Sequence, residues 1–183
     1  MPVSLSVRVG RSADVARCRE DDLVTQQQFE AVGHPDSCPW ARFPIRRPNR
    51  RFTPGRVLVA EIGGQVVGWI FLTRSDGELC IGQLAVSPPS QCRGVGTSLV
   101  DAVIADALRG GERSILLSTQ ADVEWNQPWY ERIGFEVVPP RQWTADMVAI
   151  AREQSEAGLD WDTRVHMRMR LTPALLPQVL VLR

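Results

Sequence analysis

The chain has 183 residues, 44% of them hydrophobic, and its 21 basic side chains balance 21 acidic ones. That length suits a single domain spanning 1–183 and is short for two. Balanced charge offers no global field for nucleic acid or an anionic membrane, and no apolar run reaches membrane-spanning length. Every basic residue is an arginine, which excludes a Schiff-base lysine. Cys18, Cys38, Cys80 and Cys92 form no Cys-x-x-Cys pair, and Met1 to Arg11 lacks the apolar stretch of a secretory leader. A cytoplasmic protein with free thiols is therefore expected. His34 and Cys38 are joined by only one other histidine, the distant His166, so no metal site is expected.

Val3 to Val9 alternates apolar and polar side chains as a half-buried strand does, and Ser12 is placed to cap a helix running to about Glu30. Between Gly33 and Gly55, Pro35, Pro39, Pro44, Pro48 and Pro54 exclude a long helix. Arg56 to Ile62 and Gln65 to Thr73 read as a hairpin turned at Gly63-Gly64, followed by a turn at Ser75-Asp76-Gly77 and a third strand from Glu78 to Val86. Val95, Leu99, Val103, Ile104 and Leu108 then fall on one helical face, with Gly110-Gly111 as the stop. Ser114 to Ser118 is a short apolar run of the kind found in a parallel strand covered on both faces. Asn126 is placed to cap a short helix with Pro128 in its first turn, and Gly134 ends it. Phe135 to Val138 reads as a strand, Thr144 to Ala157 as a helical insert, and Arg164 to Leu171 as a last strand with Val165, Met167, Met169 and Leu171 on one face. This order defines an α/β fold with a mixed central β-sheet flanked by helices.

The segment Gln91-Cys92-Arg93-Gly94-Val95-Gly96 joins the third strand to the helix after it. A loop so placed directs backbone N–H groups and a helix N-terminus at one point, which attracts phosphate. A P-loop would need a lysine, and a dinucleotide fingerprint would need glycine where Leu99 stands. The pattern left is Gln-x-x-Gly-x-Gly.

That loop resembles the pyrophosphate loop of the GNAT superfamily of acyl-CoA-dependent N-acetyltransferases. Asn126, Tyr130, Gly134 and Phe135 resemble the family's Asn…Tyr-x-x-x-Gly-Phe segment, so the likeness extends over roughly Arg56 to Phe135. It implies a GNAT-like fold, acetyl-CoA as cosubstrate, and direct acetyl transfer to a primary amine on a small molecule or peptide. On this resemblance Gln91 belongs to the loop, and Arg93, Gly94, Val95, Gly96 and Thr97 hold the pyrophosphate; a Cβ at Gly94 or Gly96 should crowd it or force a disfavoured backbone. Leu84, Ala85 and Val86 hydrogen-bond the pantetheine arm, and a backbone N–H near Ala85 or Val86 serves the oxyanion. Tyr130, the sole tyrosine, stands where the family's general acid does, the alternative being a core tyrosine. Asn126 either bonds the pantetheine arm or caps its helix. The strand glutamate that some members use as base aligns with Cys80; Glu78 is the candidate two residues earlier, with Glu20, Asp21, Asp22, Glu124 and His166 behind it. Trp40, Phe43 and Phe52 either wall an acceptor pocket or cover the core. The arginines at 46, 47, 50 and 51 either hold an anionic group or are solvated. Cys92 is placed to meet phosphate rather than thioester. A non-catalytic acyl-CoA sensor of the same fold is the alternative to an enzyme. The apolar run from Leu175 to Leu182 suggests a homodimer contact or packing onto the parent domain.

Overall fold

A computed structural model describes residues 4–34 and 56–172. Expectations for Val3, for the aromatic and arginine residues of 35–55, and for the dimer contact at 175–182 lie outside the described residues. The strands are β1 Leu5–Val9, β2 Arg56–Ile62, β3 Gln65–Ser75, β4 Glu78–Val86, β5 Ser114–Gln120, β6 Glu136–Val137 and β7 Arg164–Arg170. The helices are α1 Val15–Glu30, α2 Val95–Arg109, α3 Gln127–Arg132 and α4 Ala145–Glu156. The strands make one sheet in the order β1-β2-β3-β4-β5-β7-β6. Neighbours run antiparallel except β4 and β5, which are parallel because α2 carries the chain back between them.

The alternation of side chains along each strand sends its residues to two separate cores. On one face Leu99, Val103 and Ile104 of α2 pack with Ile70, Ile81, Ile115 and Met167, and Tyr130 of α3 joins them. On the other, Cys18 of α1 meets Val59, Trp69 and Ala85, while Met147 of α4 meets Cys80, Leu116 and Val138. In β7 the alternation runs as expected: Met167 and Met169 join the α2 core, whereas His166 faces Trp143 and Trp161.

Several boundaries differ from expectation, among them the end of β3, which runs on from Thr73 to Ser75. Ser12–Asp14 forms a 3-10 turn and α1 starts only at Val15, because Asp14 accepts the Arg11 N–H at 2.6 Å and is clamped by Arg8 at 2.8 Å. Asp14, not Ser12, governs that helix start. β5 continues two residues beyond Ser118, and β6 is only Glu136–Val137. Thr144 caps α4 through the Met147 N–H at 3.3 Å. α1 also inverts the usual amphipathic pattern: Leu23 is 54% exposed, while Asp21, Asp22, Thr25 and Gln26 are buried against the sheet.

Candidate active site

β4 and β5 pair only where Leu79–Ile81 face Ile115–Leu117. Immediately beyond, the β3–β4 register slips between Phe71 and Leu72 and leaves Gly82 without a partner, a bulge that bends and twists β4. The strands then diverge. The resulting cleft is lined by Gln83 and Leu84 of β4 and by Thr119 and Gln120 of β5, with Tyr130 and Phe29 entering from opposite faces of the sheet. Ser87 gives its N–H to Val67 at 2.9 Å, so by alternation Ala85 also turns its N–H towards β3, opposite Trp69. Leu84 and Val86 consequently direct their backbone groups to the edge where β5 has departed. Of the two positions expected to supply an oxyanion donor, Val86 presents its N–H to the cleft and Ala85 does not.

At the end of β4 the chain passes through Cys92 at φ 56° and Gly94 at φ 78° before entering α2. The first helical bond runs from the Ser98 N–H to the Gly94 carbonyl at 2.9 Å. The N–H groups of Val95, Gly96 and Thr97 therefore precede it, at the positive end of the helix dipole. Arg93 is exposed beside them. Gln91 acts as a splint: its Nε2 donates to the Val86 carbonyl at 3.0 Å and to Gln28 at 2.9 Å, and Gln28 returns a bond at 3.2 Å. A second clasp lies alongside, where the Ser87 hydroxyl donates to Asp21 at 2.6 Å and Arg17 holds Asp21 at 2.9 Å. Together they fix the loop to α1.

The two loop glycines have different reasons to be glycine. Gly94 holds a left-handed backbone, and a Cβ there would meet no atom of the described residues within 4 Å. Gly96 is helical, and a Cβ there would meet the Trp129 ring at 3.4 Å, an ordinary van der Waals contact. Gly96→Ala should therefore leave acetyl-CoA affinity within about threefold, whereas Gly96→Val overpacks against Trp129 and should destabilise the fold by about 1–3 kcal/mol. Gly94→Val strains the backbone that aims the amides and should weaken binding instead. Thermal melts paired with calorimetry separate the two; equal behaviour of the Gly94 and Gly96 valine variants would refute this division.

Tyr130 is 7% exposed, packed edge-on against Trp129 at 4.8 Å and Phe135 at 5.4 Å between ring centroids. Among the described residues no group hydrogen-bonds its hydroxyl, and the side chain lines the cleft. Burial pushes the phenol above its ordinary value, so it is protonated at neutral pH. Asn126 makes no side-chain cap; its backbone carbonyl accepts the Tyr130 N–H at 2.9 Å, while its Nδ2 donates to Gln120 at 2.8 Å across the cleft wall. The capping alternative for that side chain is corrected accordingly.

Glu78 lies at the other end of β4, six residues from Leu84 and thus about 20 Å away along the strand. Its Oε1 accepts from Arg168 Nε at 2.7 Å and Ser114 Oγ at 2.6 Å, and its Oε2 accepts from Arg168 at 2.9 Å. It is a strand tie, and the structure does not bring it to the cleft. Cys80 is buried in the α4 core, where desolvation pushes its thiol up to about 12. His166 is 1% exposed between Trp143 and Trp161 with Nε2 against the Met147 carbonyl, and burial lowers it to about 4, which keeps it neutral. Glu20 and Glu124 are exposed, and Asp21 is engaged by Arg17 and Ser87. Phe29, Gln83, Gln28 and Trp129 were not singled out from the sequence. Only Trp129 carried a signal, as an aromatic beside Tyr130.

Parallel β4 and β5 that separate at a bulge, with a glycine-bearing helix N-terminus at the mouth, define an acyltransferase fold. The model of the acetyltransferase (GNAT) family matches residues 20–135, and the chain belongs to that family. Similar folds include a GNAT acetyltransferase from Staphylococcus aureus, 14% identical, with 92% of this chain and 100% of that one covered and a TM-score of 0.64. The PaiA N-acetyltransferase of Thermoplasma acidophilum, solved with coenzyme A, is 14% identical over 92% of this chain and 99% of that one, with a TM-score of 0.65. The ribosomal-protein-S18-alanine N-acetyltransferase of Escherichia coli is 12% identical over 92% and 95%, with a TM-score of 0.57. Acetyl-CoA is the family's acyl donor.

Proposed function

We propose that the protein is a cytoplasmic N-acetyltransferase that moves an acetyl group from acetyl-CoA to a primary amine on a small molecule or peptide, by direct attack. The observation that carries this reading is the parting of β4 from β5 after Ile81 and Leu117, which leaves Leu84 and Val86 on an edge with no strand partner among the described residues, beside a cleft reached by Tyr130. These residues fit the donor: an extended amide-bearing arm adds to such an edge as a strand would, and Val95, Gly96 and Thr97 offer N–H groups to a pyrophosphate. Acetyl-CoA supplies an activated thioester. The Val86 N–H is placed to stabilise charge on the carbonyl oxygen, and the Tyr130 hydroxyl to give a proton to the departing sulfur. Cys92 is exposed at the loop and takes no covalent part.

Acetyl-CoA should raise the melting temperature while ATP and NAD do not, since the loop matches neither nucleotide motif. At a ligand concentration 100-fold above Kd the stabilisation is about 2.7 kcal/mol. An equal response to ATP would overturn the assignment. Thiol release on a panel of amines then tests turnover, and acetyl-CoA binding without release on any amine would favour an acyl-CoA sensor.

A further inference from the structure

We infer that Asp22 is the base that takes a proton from the acceptor amine, on the α1 side of the cleft between β4 and β5. This role presupposes the acetyl transfer proposed above.

The inward face of α1 carries Asp22, Thr25, Gln26 and Phe29, a stripe at helical spacing. At its far end Phe29 lines the cleft, two turns and about 10 Å from Asp22. Cys18 near the start of α1 packs on Val59, Trp69 and Ala85, but from Asp21 on the helix turns acids, a threonine and a glutamine inwards while leaving Leu23 54% exposed, the reverse of an ordinary apolar face. Buried polar groups of this kind call for polar partners. Asp22 is 8% exposed, and its Oδ1 accepts from Gln83 Nε2 at 3.2 Å; Gln83 is itself a wall of the cleft. One turn on, Thr25 is equally buried, and its hydroxyl has no hydrogen-bond partner among the described residues. A buried orphan hydroxyl beside a carboxylate is what a polar ligand or bridging water would satisfy.

The surroundings of Asp22 suit a base. Asp21 and the Cys18 thiol are its neighbours on α1, Gln83 faces it from β4, and β3 presents the apolar Trp69 and Phe71 on that side. No cation among the described residues pairs with it, whereas Asp21 next door holds Arg17. Burial pushes the Asp22 carboxyl up to about 7, with the Gln83 amide opposing and Asp21 adding to the rise. A carboxylate so placed takes a proton from an ammonium far more readily than a solvated one does.

The step balances as follows. The carboxylate accepts one proton from R–NH3+, directly or through one water, and the freed nitrogen lone pair forms the C–N bond at the thioester carbon. The C–S bond breaks, the sulfur leaves with its electron pair and ends protonated, and the second nitrogen proton replaces the one given to sulfur. Asp22 then returns its proton to solvent.

Two measurements test the assignment. In the wild-type enzyme the acidic limb of kcat/KM should lie near pH 7 for two amines of different basicity, because it belongs to the protein; a limb that moves with the amine overturns the role. Asp22→Asn keeps the shape and still accepts from Gln83, so acetyl-CoA affinity should stay within about twofold. Turnover at pH 7 should fall about 10²-fold or more, and the limb near 7 should be replaced by a rise that continues to the amine's own ionisation. Wild-type turnover, or an unchanged limb, in the asparagine variant overturns the role while leaving acetyl transfer intact. Absence of thiol release by the wild-type enzyme on any amine overturns both.

Discussion

Replacing Tyr130 by phenylalanine is expected to lower turnover about 10²- to 10⁴-fold while acetyl-CoA affinity changes by no more than a few-fold. The substitution removes one hydroxyl, conserves the ring contacts to Trp129 and Phe135, and breaks no hydrogen bond among the described residues. Stability should hardly move. Burial raises the phenol above its ordinary value, which by itself makes it a poorer acid. The leaving thiolate, however, would form beside the same buried ring, where partial desolvation raises its basicity too, so donor and acceptor remain matched. Steady-state kinetics on an accepted amine, with calorimetric binding alongside, supply both numbers. Wild-type turnover in the phenylalanine variant would assign Tyr130 to packing and leave the thiolate to be protonated from water.

The opposite pattern is expected at Glu78. Glu78→Gln should cost about 2 kcal/mol of stability, or roughly 4–8 °C in melting temperature, and leave both turnover and acetyl-CoA affinity near the wild-type values. The carboxylate receives two bonds from Arg168 and one from Ser114, so it ties β4 to β5 and β7 at the end where the sheet is closed. Glutamine cannot repeat the paired acceptance from the guanidinium and leaves a charge on Arg168, whose side chain is only 27% exposed. Full burial would make the loss larger, and full exposure would make it negligible; these side chains lie between. A large loss of turnover in a stably folded glutamine variant would return Glu78 to the catalytic machinery.

Gln91, Gly94, Gly96 and Tyr130 mark the loop and the helix that flank the cleft, and their spacing alone was enough to indicate the family. Local patterns also determined most elements, because the periodicity of apolar residues in β2 to β4, α2 and β7 is set by which face each buries. Glu78 and Asp22 show where that legibility stops. Both are acids offered as the base, Asp22 on α1 and Glu78 at the start of β4, and the sequence around neither says whether a cation meets it. Glu78 is paired with Arg168, a residue ninety positions away, and Asp22, beside Gln83 sixty-one positions away, meets no cation among the described residues. Electrostatic roles depend on the whole shell of neighbours, which only the packed sheet assembles. The same holds for the parting of β4 and β5. Sequence fixes that both are strands, but the slip at Gly82 that opens the cleft exists only in the pairing between β3 and β4. Gly96 adds a last instance: its motif suggests an anion, but only the fold shows that a side chain there would meet the Trp129 ring, at 3.4 Å from a Cβ.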